Sequence, residues 1–336
     1  EHAALAVGHH LLGQVARVFH AAGARRQHQF GAVGLEQADL LLAHLVGHHE
    51  DALVAAQRGG LGEAGDTQRA GALFKTFDAS ASLDWSIAYA RHLIQLGAFD
   101  EAERLLGGII KADQPSSEAW ALIDICWRTV DDPRHAWLHG QEGLVQSVSL
   151  NLSAAELNGI AEVLLQLHQR SFEPFGQSIK GGSQTKGALL HRLEPELQVL
   201  RNALTDAMQA YRAALPPRDD GHPLLSKRGS TWEISGSWSI LMNGSGQHVS
   251  HVHPQGVLSS ACYIILPDNI GEPGQGGLLE LGRPPALLAP QLDPLATIRP
   301  TVGHCILFPS TLFHGTQPLS GGRRMSVAFD VKAVSG

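Results

Sequence analysis

The sequence predicts an α+β chain in which helices come first and a β-sandwich or barrel follows. Apolar residues recur at helical spacing across Leu93, Leu96, Ala102, Leu105, Leu106 and Ile109. After Trp232 the pattern changes to period two, in short runs split by Gly and Pro. Between the two textures lies Pro216-Pro217-Arg218-Asp219-Asp220-Gly221, which stops a helix and cannot seat in a central strand.

Composition narrows the function. The 336 residues carry 25 Lys+Arg against 32 Asp+Glu, a formal net charge of −7. That acidic balance argues against nucleic acid, which needs a basic footprint. The apolar stretch from Ala3 to Ala24 is broken by His9, His10, Arg17 and His20, so it is too polar to span a membrane. The start at Glu1-His2 also lacks the basic end and clean apolar run of a signal peptide. Three scattered cysteines, Cys126, Cys262 and Cys305, make neither a disulfide framework nor a Cys-based zinc site. A reducing compartment, the cytoplasm, is the expected location. Histidine stands out at 19 residues, and eight of them fall before residue 50.

Four segments follow in order. Residues 1–66 are rich in His, Ala and Gly and contain no Ser, Thr, Pro, Lys or Trp, so their structure is doubtful. Their histidines invite a metal-buffering reading, but incidental composition or non-native upstream sequence explains them as well. Residues 67–150 read as helical hairpins, with Gly97 interrupting two amphipathic runs as a tight turn would. Residues 151–220 read as linking helices. Ser153 caps a run to Arg170 with Glu156 three positions on, a second helix spans 194–214, and the Gly-rich QSIKGGSQTKG between them reads as a loop. Residues 221–336 form the β domain, with strands expected at 237–242, 249–253, 258–266, 278–281, 305–308 and 325–331.

The hairpin around Gly97 resembles a tetratricopeptide repeat, with Ala90, Gly97, Phe99, Ala102 and Pro115 in matching places. At a period of about 34 residues, Ala102 maps to Ala136 and Ser86 to Trp120, so a second, degenerate repeat follows. An ordinary helical hairpin would show much of the same pattern.

Chemistry concentrates in two late blocks. In GSGQHVSHVHPQGVLSSACYIILP, strand alternation sets His251 and His253 on one face, and His248 on the other, at the surface. Two imidazoles one residue apart can reach one transition-metal ion, although such a pair alone is weak. The second block, VGHCILFPSTLFHGTQPLSGGRRMSVAFDV, adds His314 and a strand whose inward face carries Arg324, Ser326 and Ala328, with Met325, Val327 and Phe329 packed on the other. A guanidinium followed by a hydroxyl on a barrel wall suits a carboxylate. A slip by one residue would put Arg323 there instead, but the small Ser326 and Ala328 favour Arg324.

Together these blocks resemble the Fe(II)- and 2-oxoglutarate-dependent dioxygenases, in the branch whose barrel follows tetratricopeptide-like repeats. The resemblance spans roughly residues 85–334 and is tightest from residue 237. It implies a double-stranded β-helix (jelly-roll) barrel and a hydroxylase that uses O2 and 2-oxoglutarate. His251, His253 and His314 would be the metal ligands. Arg324 would hold the distal carboxylate of 2-oxoglutarate, with Ser326 and Tyr263 as further cofactor-binding residues. One departure stands out: His253 occupies the place where most of the superfamily has Asp or Glu. Three neutral ligands leave the site one negative charge poorer, and Glu280 is only a remote substitute. The repeats would offer a place for a protein or peptide substrate. The rival reading is a non-catalytic binding module with a relict or structural metal site. The Gly-rich GEPGQGG (271–277) reads as a rim of the pocket, since no helix follows it to make a phosphate loop.

Overall fold

The computed structural model describes Phe74 and residues 82–334, except 113–115, 170, 172–177, 187, 255, 275 and 290. The His-rich segment 1–66 lies outside the described residues.

Helix formation follows local signals. Helix α1 (Leu83–Gln95) starts where the Ser82 hydroxyl accepts from the Trp85 amide, and it stops at Gly97, whose φ of +74° suits a residue without a Cβ. Helix α2 (Phe99–Lys111) follows directly, and α3 (Ser117–Thr129) is capped by Ser116 in the same way as α1. Ala90, Ala102 and Ala119 are fully buried where the helices meet, so the small residues of the repeat pattern mark close packing. The second repeat is truncated. Helix α4 (Arg134–His139) has only 6 residues and Ala136 is exposed, because the chain leaves the helical layer there to enter a sheet.

That sheet has six strands in the order β1-β7-β4-β9-β3-β2, and a second has three in the order β6-β5-β8. The strands are β1 (Gln146–Ser149), β2 (Ile179–Gln184), β3 (Thr231–His248), β4 (Leu258–Ile265), β5 (Leu279–Leu281), β6 (Ala296–Ile298), β7 (His304–Pro309), β8 (His314–Thr316) and β9 (Arg323–Val334). All their pairings are antiparallel. The α+β division is therefore as the sequence predicts, with helices first and sheets after.

Two local expectations change. The QSIKGGSQT loop contains β2, which pairs with β3 across a bulge at Lys180–Gly182. Gly181 there has a φ of +71°, and a Cβ on Gly182 would lie 2.6 Å from the Leu241 carbonyl oxygen, so the glycines permit the pairing rather than prevent it. Conversely, no regular strand covers 249–253; His251 alone makes a β-bridge, with His314.

Helices α5 (Ala154–His168) and α6 (Pro195–Ala214) cover one face of the large sheet. Ser153 and Glu156 close a capping box at the start of α5, and Pro195 begins α6. Ile160, Leu164, Leu197 and Leu204 share one core with Cys262, Cys305, Met325, Val327 and Phe329, all fully buried. At roughly 1.5–3 kcal/mol for each large apolar side chain, this layer holds the sheet flat against its helices. It also forces Arg324, Ser326, Ala328 and Asp330 to the opposite face of β9.

The first helical layer docks on the other end of the β domain. Val252 and Phe313 pack into the core of α1–α3. The Ser117 amide and hydroxyl at the start of α3 donate to the Pro254 and Gly256 carbonyls, at 3.0 and 2.5 Å. Arg128 donates to the Gly282 and Asp293 carbonyls. His139 meets the Thr311 hydroxyl at 2.9 Å and the Asp124 carboxylate at 3.2 Å. The helices thus grip both segments that flank the late histidines.

His168 ties α5 to the sheet through Ser183 (2.8 Å) and Ser239 (3.0 Å), and burial lowers its pKa to about 4. The unfolded chain therefore takes up a proton between about pH 6.5 and 4 that the folded chain refuses, so stability is full above that window and falls as pH drops through it. Denaturant unfolding at pH 7 and pH 5 should show this loss, and His168→Gln should make the slope shallower. An unchanged slope in the variant would contradict a buried neutral His168.

Candidate metal centre

The late histidines are brought together by backbone pairing. The His251 amide donates to the His314 carbonyl at 3.0 Å and the His314 amide returns the bond at 2.9 Å. This bridge sets the two rings 4.2 Å apart, centre to centre. His253 follows two residues on, with its ring 5.1 Å from that of His251 and 4.9 Å from that of His314. One ligating nitrogen from each of the three lies within 4.8 Å of the other two.

The orientation of each ring is determined by what its Nδ1 meets. The Val249 carbonyl accepts from His251 at 2.9 Å and the Leu312 carbonyl accepts from His314 at 3.1 Å. A carbonyl can only accept, so each Nδ1 carries the proton and each Nε2 keeps its lone pair. The Nδ1 of His253 meets the carboxylate of Asp330 instead. With each Nδ1 engaged, Nε2 is the ring nitrogen left to ligate on all three. Burial lowers the pKa of His251 to about 4 and that of His314 well below the ordinary histidine value, with the neighbouring imidazoles adding to the effect. Their neutral form, the one that binds a metal, therefore holds throughout the physiological range.

Asp330 is the residue that the sequence reading missed. It continues the alternation of Arg324, Ser326 and Ala328, so extending that series by one step would have found it. Glu280, by contrast, is engaged elsewhere by Arg283 and Gln317.

Arg324 lies on the same face of β9 and is only 4% exposed, whereas Arg323 is exposed. Its guanidinium donates to the Gly277 carbonyl (3.1 Å), reaches the Tyr263 hydroxyl (3.5 Å) and sits 5.1 Å over the Tyr263 ring. Its Nε has no partner, and among the described residues no carboxylate pairs with it. A buried cation left in that state is costly, so the site fits an anion. Ser326 is buried beside it, in register with Tyr263. His248, expected at the surface, instead turns its ring to within 5.3 Å of the His251 ring and buries its Nε2 without a partner. A cavity of about 670 Å³ is lined by residues 271–274 and Gly276 with Leu278, Gln317 and Leu319.

Two family models match parts of the chain. Residues 236–330 match the family described as "Putative 2OG-Fe(II) oxygenase", and residues 62–124 match the tetratricopeptide repeat. No curated protein matches the chain. Among solved structures, a Pseudomonas putida prolyl-4-hydroxylase is 16% identical, over 62% of this chain and 98% of its own, with a TM-score of 0.41. HygX from Streptomyces hygroscopicus, solved with nickel, 2-oxoglutarate and hygromycin B, is 13% identical over 57% of this chain and 83% of its own, with a TM-score of 0.40.

The bridge depends on Gly315. A Cβ there would lie 2.9 Å from the His248 carbonyl oxygen and 3.0 Å from the Ser250 amide nitrogen, both backbone atoms that cannot swing aside. Gly315→Ala is expected to cost about 1–3 kcal/mol in denaturant unfolding; a wild-type midpoint would contradict this close approach.

Proposed function

We propose that His251, His253 and His314 hold Fe(II) and that Arg324 binds 2-oxoglutarate, a reading supported by the match of residues 236–330 to the family described as "Putative 2OG-Fe(II) oxygenase". The observation that best supports this reading is the buried, carboxylate-free guanidinium of Arg324 on the β9 face that also carries Asp330, which meets His253 of the three-imidazole cluster. When bound, the iron supplies O2 chemistry that couples decarboxylation of 2-oxoglutarate to succinate with hydroxylation of a substrate C–H bond.

The chain itself binds and orients. Arg324 neutralises the distal carboxylate of the co-substrate, and the Tyr263 hydroxyl beside it can donate a further hydrogen bond. Ser326 supplies a small hydroxyl on the same wall. The three Nδ1 anchors keep the Nε2 lone pairs aimed before any metal arrives, so binding requires no ring rotation. The tetratricopeptide-like layer is the proposed place for a protein or peptide substrate. Its docking against the segments around His253 and His314 would put such a substrate close to the chemistry. Three buried free thiols fit a reducing, cytoplasmic location, and no described helix is long and apolar enough to cross a membrane.

Anaerobic addition of Fe(II) and then 2-oxoglutarate should give a weak visible charge-transfer band, and O2 should then release succinate. His314→Ala should abolish both signals, while His304→Ala, outside the cluster, should keep them. Metal bound without band or succinate would instead favour the non-catalytic module with a structural metal. Arg324→Gln should keep metal binding but weaken 2-oxoglutarate binding by about 1.5–3 kcal/mol, roughly 10–150-fold by titration calorimetry. Unchanged co-substrate affinity would remove Arg324 from the site.

A further inference from the structure

We propose that Asp330 is a positioning residue that supplies, through His253, the negative charge that the ligand set itself lacks. The inference rests on the iron-site reading above and deepens it. The three proposed ligands are neutral imidazoles, and the carboxylate stands one imidazole further back.

The three anchors are not equivalent. His251 and His314 donate to neutral backbone carbonyls, whereas His253 donates to a carboxylate oxygen of Asp330. Among the described residues Asp330 has no Arg or Lys partner, so its charge is directed at that imidazole. The pair is largely shielded, with side-chain exposures of 17% for His253 and 20% for Asp330, so the interaction is less screened than at an open surface. Ser259 places its hydroxyl 3.5 Å from both the Asp330 oxygen and the His253 Nδ1, and itself meets Ser310 at 2.9 Å. That small network holds the carboxylate in line with the ring.

Strand geometry makes the placement obligatory. Apolar Met325, Val327, Phe329 and Val331 bury the other face of β9, so Asp330 must share the face of Arg324 and Ser326. A ring hydrogen-bonded to a carboxylate is a more basic ligand than one bonded to a carbonyl, and the added negative charge stabilises Fe(III) relative to Fe(II).

The test uses the full chain under anaerobic conditions. Co(II) affinity by chelator competition and the Fe(III)/Fe(II) midpoint potential are compared for wild type and Asp330→Asn. The isosteric amide should bind Co(II) roughly 10–100-fold more weakly and raise the potential, with metal-free melting unchanged. Equal affinity and equal potential in Asp330→Asn would overturn the inference and leave the iron-site reading intact. A wild-type chain that binds neither metal would overturn the iron-site reading, and this inference with it. Should Asp330→Asn not fold, Asp330→Ser takes its place with the same two readouts: Co(II) binding roughly 10–100-fold weaker and a raised potential are expected, and wild-type values for both would overturn the inference.

Discussion

Three Nδ1–H groups, each tied to a fixed acceptor, determine what the rest of this molecule has to provide. Two acceptors are the Val249 and Leu312 carbonyls, so each ring is aimed by backbone two residues before it. That works only if both backbone segments are held, and the reciprocal His251–His314 bridge holds them. The close approach at Gly315, the docking of Val252 and Phe313 on the helical layer and the grip of Ser117 on residues 254 and 256 all serve that end. The third acceptor, Asp330, needs a strand in correct register, which the core under Met325, Val327 and Phe329 enforces. A one-residue slip would remove Arg324 and Asp330 from the site together.

The helical layer therefore has a second role besides that suggested by its repeat pattern. In a free-standing repeat array the concave surface is open to a partner. Here the start of α3 and the core around Leu122 are already engaged by the segments that carry the site. A substrate held on the remaining helical surface would be held by the same element that braces the metal loop.

Much of this was legible in the sequence where one periodicity or one cap decides the outcome. Ser153 with Glu156, the period-two run from Arg324 to Phe329, and the inward facing of Arg324 rather than Arg323 all follow from local pattern, and each matches the structure. Failures came where tertiary pairing overrides local signals. The glycines of QSIKGGSQT look like a loop, yet they are what lets β2 close on β3. His248 was set aside as a surface residue because alternation was carried through 249–253, where the chain leaves the regular strand. Asp330 needed no new principle, only one more step of the alternation already in use.

The central claim is that three imidazoles, and no protein carboxylate, form the first coordination shell. X-ray absorption of the anaerobic Fe(II)-loaded chain tests it most directly, because the multiple scattering of imidazole rings counts them. Three imidazoles on one iron are the expected result. Two imidazoles with a carboxylate in the shell, as would follow if Asp330 displaced His253 from the metal, would contradict it.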